Sequence, residues 1–253
     1  MNRIIHYAGL CLQGLVRKNN EDNYRIPEGC LPMIHGDKEP FSGSVRPGPW
    51  AAFGVFDGMG GEMCGEAASY TAAAAFDGWS VRRSGSFHAE EAEGLCRALN
   101  REVLSYAARH RAPGMGSTAA ALCFDADGIR GFNIGDSRCL MFSEGALSVL
   151  STDHVVLSPI TRRARLTQCL GIPEEEFLLE PAFFSAPYRE GDLYLLCSDG
   201  LTGVVSHQVI EEVLSEESSL SDKLARLREE VFRRGAPDNL TILLLAVTEE
   251  CHE

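Results

Sequence analysis

The stretch Gly54–Glu62, "GVFDGMGGE", sets an acid at the end of an apolar run. Ala51 to Phe56 reads as a buried strand; Asp57 follows, then glycines at 58, 60 and 61. A dinucleotide turn of the form G-x-G-x-x-G fails, because Met63 stands where the third glycine belongs. Two readings stay open. Asp57 is a metal ligand on a rigid strand end, with glycines that let backbone carbonyls approach the same ion. Or it is a solvated acid in a tight turn.

Working outward, the 253 residues are 45% hydrophobic and 23% charged, which suits one large globular domain or two small ones. We expect one domain over 1–253. The formal net charge of −13 makes nucleic acid and anionic membrane poor partners. No window has the length of an apolar span, and the N-terminus lacks a signal-peptide pattern, so a cytoplasmic protein is expected. It is taken as a monomer. Nine cysteines are an odd number without C-x-x-C spacing, which points to free, buried thiols. The histidines show no H-E-x-x-H spacing, so a zinc–histidine site is not indicated.

Strand-like runs lie near Ile4–Leu12, Ala51–Phe56, Thr118–Phe124, Ile129–Ile134, Arg138–Phe142, Leu147–Leu150, Leu193–Cys197 and Leu240–Val247. "DADG" (Asp125–Gly128) and "SEGA" (Ser143–Ala146) read as hairpin turns, so pairing is antiparallel. Helical periodicity marks two pairs: Glu66–Trp79 with Ala89–His110, and Ser206–Leu214 with Leu220–Arg234. Pro27–Pro49, with five prolines, reads as a long surface loop. These blocks predict a layered α/β fold with antiparallel sheets.

Acids recur at strand edges. Asp199 follows "LYLLCS", Asp136 follows "GFNIG", Asp238 precedes "NLTILLLAV", and Glu21 and Asp22 follow "GLVRKNN". One such acid is usually a turn or cap residue. Five such places without a basic cluster call for cations between the carboxylates, and hard divalent ions suit all-oxygen sites. Spacing alone leaves a two-metal nuclease, an aspartate-rich phosphatase and a calcium-stabilised domain all open.

In order, "GLVRKNNEDN", "FGVFDGMGGE", "GSTAAALCF", "GFNIGDSR", "LSTDH", "LLCSDGL" and "APDNLTILLL" resemble the metal-dependent Ser/Thr protein phosphatases (PPM type, or type 2C), bacterial branch. The resemblance runs from Gly14 to Leu245. It implies a four-layer sandwich of two antiparallel β-sheets flanked by pairs of α-helices. It also implies two Mn²⁺ or Mg²⁺ ions, often a third, and hydrolysis of phosphoserine and phosphothreonine in proteins, with a Ser/Thr kinase as the opposing enzyme.

By the same resemblance, Asp57 bridges the two main ions and the Gly58 carbonyl reaches the second. Asp199 and Asp238 hold the first ion, and Glu21 and Asp22 contact the second directly or through its waters. Asp136 and Asp199 hold the third. Arg17 binds the substrate phosphate as a fork-shaped donor, and Asn239 orients Asp238. Ser117, Thr118 and His154 are read as supports and Cys197 as a buried thiol. A phosphoprotein-binding pseudophosphatase is the alternative. It commonly lacks an acid or the arginine, and all are present here.

Two features depart from the family pattern. Met59 stands where animal relatives carry a histidine proposed as general acid. Asp153–Gly171 is much shorter than the usual flap, so the cleft is expected to be open on one side. There Arg162, Arg163 and Arg165 are expected to attract phosphorylated segments.

Overall fold

The computed structural model describes residues 3–47, 50–60, 64–82, 89–125, 128–158, 164–173, 175 and 178–249. In chain order the first strands are β1 (Arg3–Leu12), β2 (Asp22–Ile26), β3 (Gly29–Cys30), β4 (Lys38–Val45) and β5 (Ala51–Met59). Helices α1 (Cys64–Val81) and α2 (Ala89–His110) follow. Then come β6 (Gly116–Ser117), β7 (Ala119–Phe124), β8 (Ile129–Ile134), β9 (Arg138–Ser143) and β10 (Ala146–Val149). The strands β11 (Val155–Leu157), β12 (Ala164–Leu166), β13 (Ala182–Ala186) and β14 (Leu193–Cys197) precede α3 (Asp199–Thr202), α4 (His207–Ser215) and α5 (Leu220–Arg233), and β15 (Leu240–Glu249) closes the fold.

One sheet has the order β10-β9-β14-β15-β1-β4, the other β13-β8-β7-β5-β2-β3, with β6 pairing the end of β5. Every pairing is antiparallel. The alternation of side chains along each strand builds three apolar layers. In β15, Leu243, Leu245 and Val247 point between the sheets and join Ile5, Phe53, Leu122 and Tyr194. Ile242 and Leu244 point the other way, onto Leu224, Leu227 and Val231 of α5. On the second sheet, Phe56 and Phe132 meet Phe76 of α1 and Leu95 and Leu99 of α2. Strands covered on both faces read as unbroken apolar runs, which is why β14 has the expected bounds.

Helix ends follow local chemistry. Ser219 caps α5 in a reciprocal pair with Asp222, worth about 1 kcal/mol. The turn of "SEGA" places Glu144 at φ 53 and Gly145 at φ 83, the two left-handed residues that a tight two-residue hairpin needs. At "DADG", Asp125 N–H bonds the Gly128 carbonyl at 3.0 Å; residues 126–127 lie outside the described residues.

The Pro27–Pro49 segment corrects the sequence reading. It is not a loop throughout, because it contains β3 and β4. β4 pairs with β1 at the edge of its sheet, a place that tolerates Pro40. Asp57 is corrected as well: the strand does not stop before it but continues to Met59. Within Asp153–Gly171, β11 and β12 pair antiparallel; residues 159–163 between them lie outside the described residues. Arg165 is exposed on β12, while Arg162 and Arg163 lie outside the described residues.

Candidate metal centre

Antiparallel register brings the acids together. Asp22 and Asp57 are opposite one another across β2 and β5. Cys197, the end of β14, pairs with Ile242 of β15 and with Arg138 of β9. Asp199 therefore lies just past one strand end, beside Asp238 just before a second and Asp136 just before a third. Leu12 pairs with Leu240, so the chain leaving β1 runs over the same end of the sandwich and carries Arg17 and Glu21 there. One edge thus collects residues more than 200 positions apart.

Asp57 keeps an opening to solvent, but protein crowds its carboxylate. Burial, then the charges of Asp22, Asp199, Asp136 and Asp238, raise its pKa well above the ordinary carboxylate range. Asp199 is raised by burial and by Asp136 and Asp238, and the hydrogen bond with Asp57 acts in the other direction. Asp136 is raised chiefly by burial. Arg17 and Arg138 offset only part of this crowding, since the pKa values of Asp199 and Asp136 stay raised.

Asp22 is wholly buried. Its Oδ2 accepts from Ser198 Oγ and Thr241 Oγ1, both at 2.7 Å, while its Oδ1 is buried without a partner. A buried carboxylate oxygen left unpaired is costly, and a cation or its water would satisfy it. Ser198 also accepts from Thr241 N–H at 3.1 Å, so its hydroxyl ties β15 to Asp22 instead of capping α3. Cys11 Sγ lies 3.2 Å from Thr241 Oγ1 and 3.3 Å from Asn20 Nδ2, behind the same cluster.

Gly58 and Gly65 explain part of "GVFDGMGGE". A Cβ on Gly58 would lie 2.0 Å from the Gly65 carbonyl oxygen and 2.7 Å from that of Glu21. On Gly65 a Cβ would lie 2.5 Å from Glu21 Oε1. Only glycines allow the strand, the helix start and the Glu21 segment to approach so closely. Gly58 N–H bonds the Glu21 carbonyl at 3.0 Å.

Arg17 Nη2 donates to Asp238 Oδ2 at 2.6 Å, with Nη1 4.0 Å from Glu21 Oε2. The guanidinium is about half exposed, so one side faces the cleft mouth. Asn239 touches Asp238 through its backbone and other segments through its side chain. Only its backbone N–H bonds Asp238, at 2.8 Å. Its side-chain amide donates to the Gln13 and Asn19 carbonyls, both at 2.8 Å, and accepts from Glu21 N–H at 2.9 Å. It therefore fastens the loop that carries Arg17 and Glu21 to β15.

The expected supports are in place. Thr118 Oγ1 accepts from Asp57 N–H at 3.0 Å and lies 2.7 Å from the buried Ser137 Oγ, which couples the Asp57 strand to the Asp136 turn. His154 Nδ1 lies 3.1 Å from Gly135 N and 3.3 Å from Gly135 O, and its backbone N–H donates to the Gly135 carbonyl at 2.9 Å, which holds the histidine against the Asp136 turn. Arg138 Nε grips both carboxylate oxygens of Asp153 at 2.9 and 3.1 Å. Cys197 is fully buried. Sequence reasoning missed Ser198, Thr241, Cys11 and Asn20. Small polar residues inside or beside apolar runs are the only signal they leave.

The donor set is all oxygen, which suits Mg²⁺ or Mn²⁺. Among the described residues no three His, Cys, Asp or Glu side chains are already drawn together closely enough to hold a metal ion. Asp22 and Asp238 spend oxygens on protein partners, as carboxylates do without a cation between them. The charge balance, the orphaned Asp22 oxygen and the glycine cradle all fit a divalent metal centre.

A family model described as "Protein phosphatase 2C" matches residues 41–244. The chain is 28% identical over 257 residues to the serine/threonine protein phosphatase PstP of Mycobacterium tuberculosis, covering 97% of this chain and 46% of that protein. It thus spans about half the length of PstP. It is 29% identical over 250 residues to the serine/threonine phosphatase stp of Listeria monocytogenes, covering 92% of each. Among solved structures, it is similar to the catalytic domain of PstP in complex with 2 manganese ions. The TM-score there is 0.78 at 27% identity, over 98% of this chain and 100% of that one. The Streptococcus-type relative solved as the S. agalactiae serine/threonine phosphatase gives 0.77 at 25%, over 97% and 100%.

Proposed function

The chain belongs to the protein phosphatase 2C family, and from that premise we propose that it hydrolyses phosphoserine and phosphothreonine in proteins with the aid of divalent metal. The observation that carries this reading is the convergence of Asp22, Asp57, Asp136, Asp199 and Asp238, with the half-exposed Arg17 beside Asp238; in this reading its fork would receive the substrate phosphate. We assign the whole of 1–253 to one catalytic domain, acting as a cytoplasmic monomer on targets of a Ser/Thr kinase. Among the described residues no helix is long and apolar enough to cross a membrane.

Asp57 would hold both main Mn²⁺ or Mg²⁺ ions, Asp199 and Asp238 the first, and Glu21, Asp22 and the Gly58 carbonyl the second. Asp136 with Asp199 would hold a third. When bound, the ions supply Lewis acidity, which lowers the pKa of a water and offsets charge on the attacked phosphoryl group. The protein's part is to hold these acids close and dry behind Asp22 and to present Arg17. Arg17 must share its fork between Asp238 and the substrate phosphate, and the Asn239 clamp limits where it can reach. No covalent step on Cys197 is required, since that thiol is buried and burial raises its pKa to about 12.

The test is hydrolysis of a phosphothreonine peptide with Mn²⁺ and with a chelator. Metal-dependent turnover is expected. Tight peptide binding without turnover would instead favour the pseudophosphatase. A second result separates the sites: Asp136→Ala should lower turnover roughly tenfold or more while the tightest Mn²⁺ binding by calorimetry persists, because in this reading Asp136 would help to hold only the third ion. Loss of the tightest binding event would move Asp136 into the main site.

A further inference from the structure

A cleft of about 720 Å³ reaches β5 at Met59, two residues beyond Asp57, and is walled also by Leu104, Met115, Cys169, Ile172 and Pro173. Nothing in the proposed chemistry uses it. Its walls are apolar, and its one charged residue is Arg111, exposed at the C-terminal end of α2. Met59 belongs to it and to β5, two residues beyond Asp57, so on one strand the two side chains share a face. The separation along the strand is ~7 Å.

The far wall is built. Leu170 and Ser117 exchange backbone hydrogen bonds at 2.8 and 3.1 Å. Asn100, fully buried on α2, accepts from Gly171 N–H at 2.7 Å and donates to the Ile172 carbonyl at 3.0 Å. A buried amide thus holds the wall segment against α2 without any contact with the acids.

Resting on the phosphatase reading, we propose that this cleft is a substrate subsite. It receives an apolar side chain of the phosphorylated segment, two residues from the phosphoresidue. In an extended segment, residues i and i+2 point the same way and advance ~7 Å, which matches the step from Asp57 to Met59. Away from Arg111 at the mouth the lining is mostly apolar, so a leucine or methionine side chain buries its surface there. Arg111 adds attraction for the phosphorylated, acidic segment at the mouth.

The experiment compares phosphothreonine peptides that carry Leu or Gly two residues to either side, against a small aryl phosphate. The wild type should favour one leucine peptide by roughly tenfold in kcat/KM, the scale of one buried aliphatic side chain. Ala108→Phe, on the exposed face of α2 at the cleft, should erase that preference. It should leave the aryl phosphate and glycine peptide unchanged. Leu104→Ala should shift the preference to a bulkier aromatic. Equal turnover of leucine and glycine peptides by the wild type overturns the subsite and leaves the phosphatase intact. A preference that survives Ala108→Phe also overturns it. Failure to hydrolyse any of the esters overturns both readings.

Discussion

Asp57→Asn is expected to abolish turnover while the metal-free protein melts at a higher temperature than the wild type. Both halves follow from one geometry. The carboxylate is opposite Asp22 across β2–β5 and faces Asp199, Asp136 and Asp238. An amide has the same shape but no charge with which to hold two cations, so rate loss of at least a hundredfold is expected at saturating Mn²⁺. Turnover within tenfold of the wild type would remove Asp57 from the bridging position.

Without metal the same charge is a burden. The amide relieves repulsion among five acids and keeps a donor toward Asp199. In a domain of this size each kcal/mol relieved raises the melting temperature by roughly 2–4 °C. The pH dependence has a definite sign. A carboxyl with a raised folded-state pKa binds its proton more tightly in the folded protein. Metal-free wild type therefore loses stability as pH rises above the usual carboxylate range, until the folded pKa is passed. The variant should show a shallower loss. Calorimetric melting in chelator at several pH values measures both effects. A lower melting temperature for the variant would mean that Asp57 serves the fold itself.

Legibility in the sequence followed the source of each residue's constraint. β14 and β15 are covered on both faces, so solvation alone writes them as apolar runs. β4 has one exposed edge and mostly exposed side chains, and its partner β1 lies some thirty residues away. Nothing local distinguishes it from a loop. β2 was missed for another reason: its polar residues are buried by specific bonds. Arg25 Nε reaches Asp77 at 3.1 Å, and Asn23 bonds Leu31 in both directions at 3.1 and 3.2 Å.

The same division holds at the site. Asp57, Asp136, Asp199 and Asp238 stood out because acids at the ends of apolar runs need a reason. Ser198 and Thr241 did not, because a hydroxyl inside a run is ordinary and their purpose, Asp22, is 176 and 219 residues away. Asn239 was singled out by its neighbour, yet its amide serves the Gln13–Glu21 segment instead. Adjacency in sequence named the residue and long-range contact named its partners.

Gly200→Ala should break the site without touching a single acid. A Cβ on Gly200 would lie 1.8 Å from the Asn239 carbonyl oxygen and 2.9 Å from its carbonyl carbon. Both obstacles are backbone and cannot rotate away. Either α3, which begins at Asp199, must move outward, or the Asp238–Asn239 segment must move with everything its amide holds. The first separates Asp199 from Asp238; the second displaces Arg17 and Glu21. Overpacking of this kind costs about 1–3 kcal/mol, which corresponds to a melting point lower by roughly 2–12 °C. Turnover should fall by more than a hundredfold, with weakened first-site Mn²⁺ binding by calorimetry, because positions a fraction of an ångström apart decide whether two carboxylates can share an ion. Gly36→Ala is the control: its Cβ would meet nothing within 4 Å, so melting and turnover should stay at wild-type values. If Gly200→Ala turned over like the wild type, the contact between α3 and Asn239 would not be what holds Asp199 and Asp238 in reach of one ion, and the positioning would have to come from the β14–β15 pairing alone.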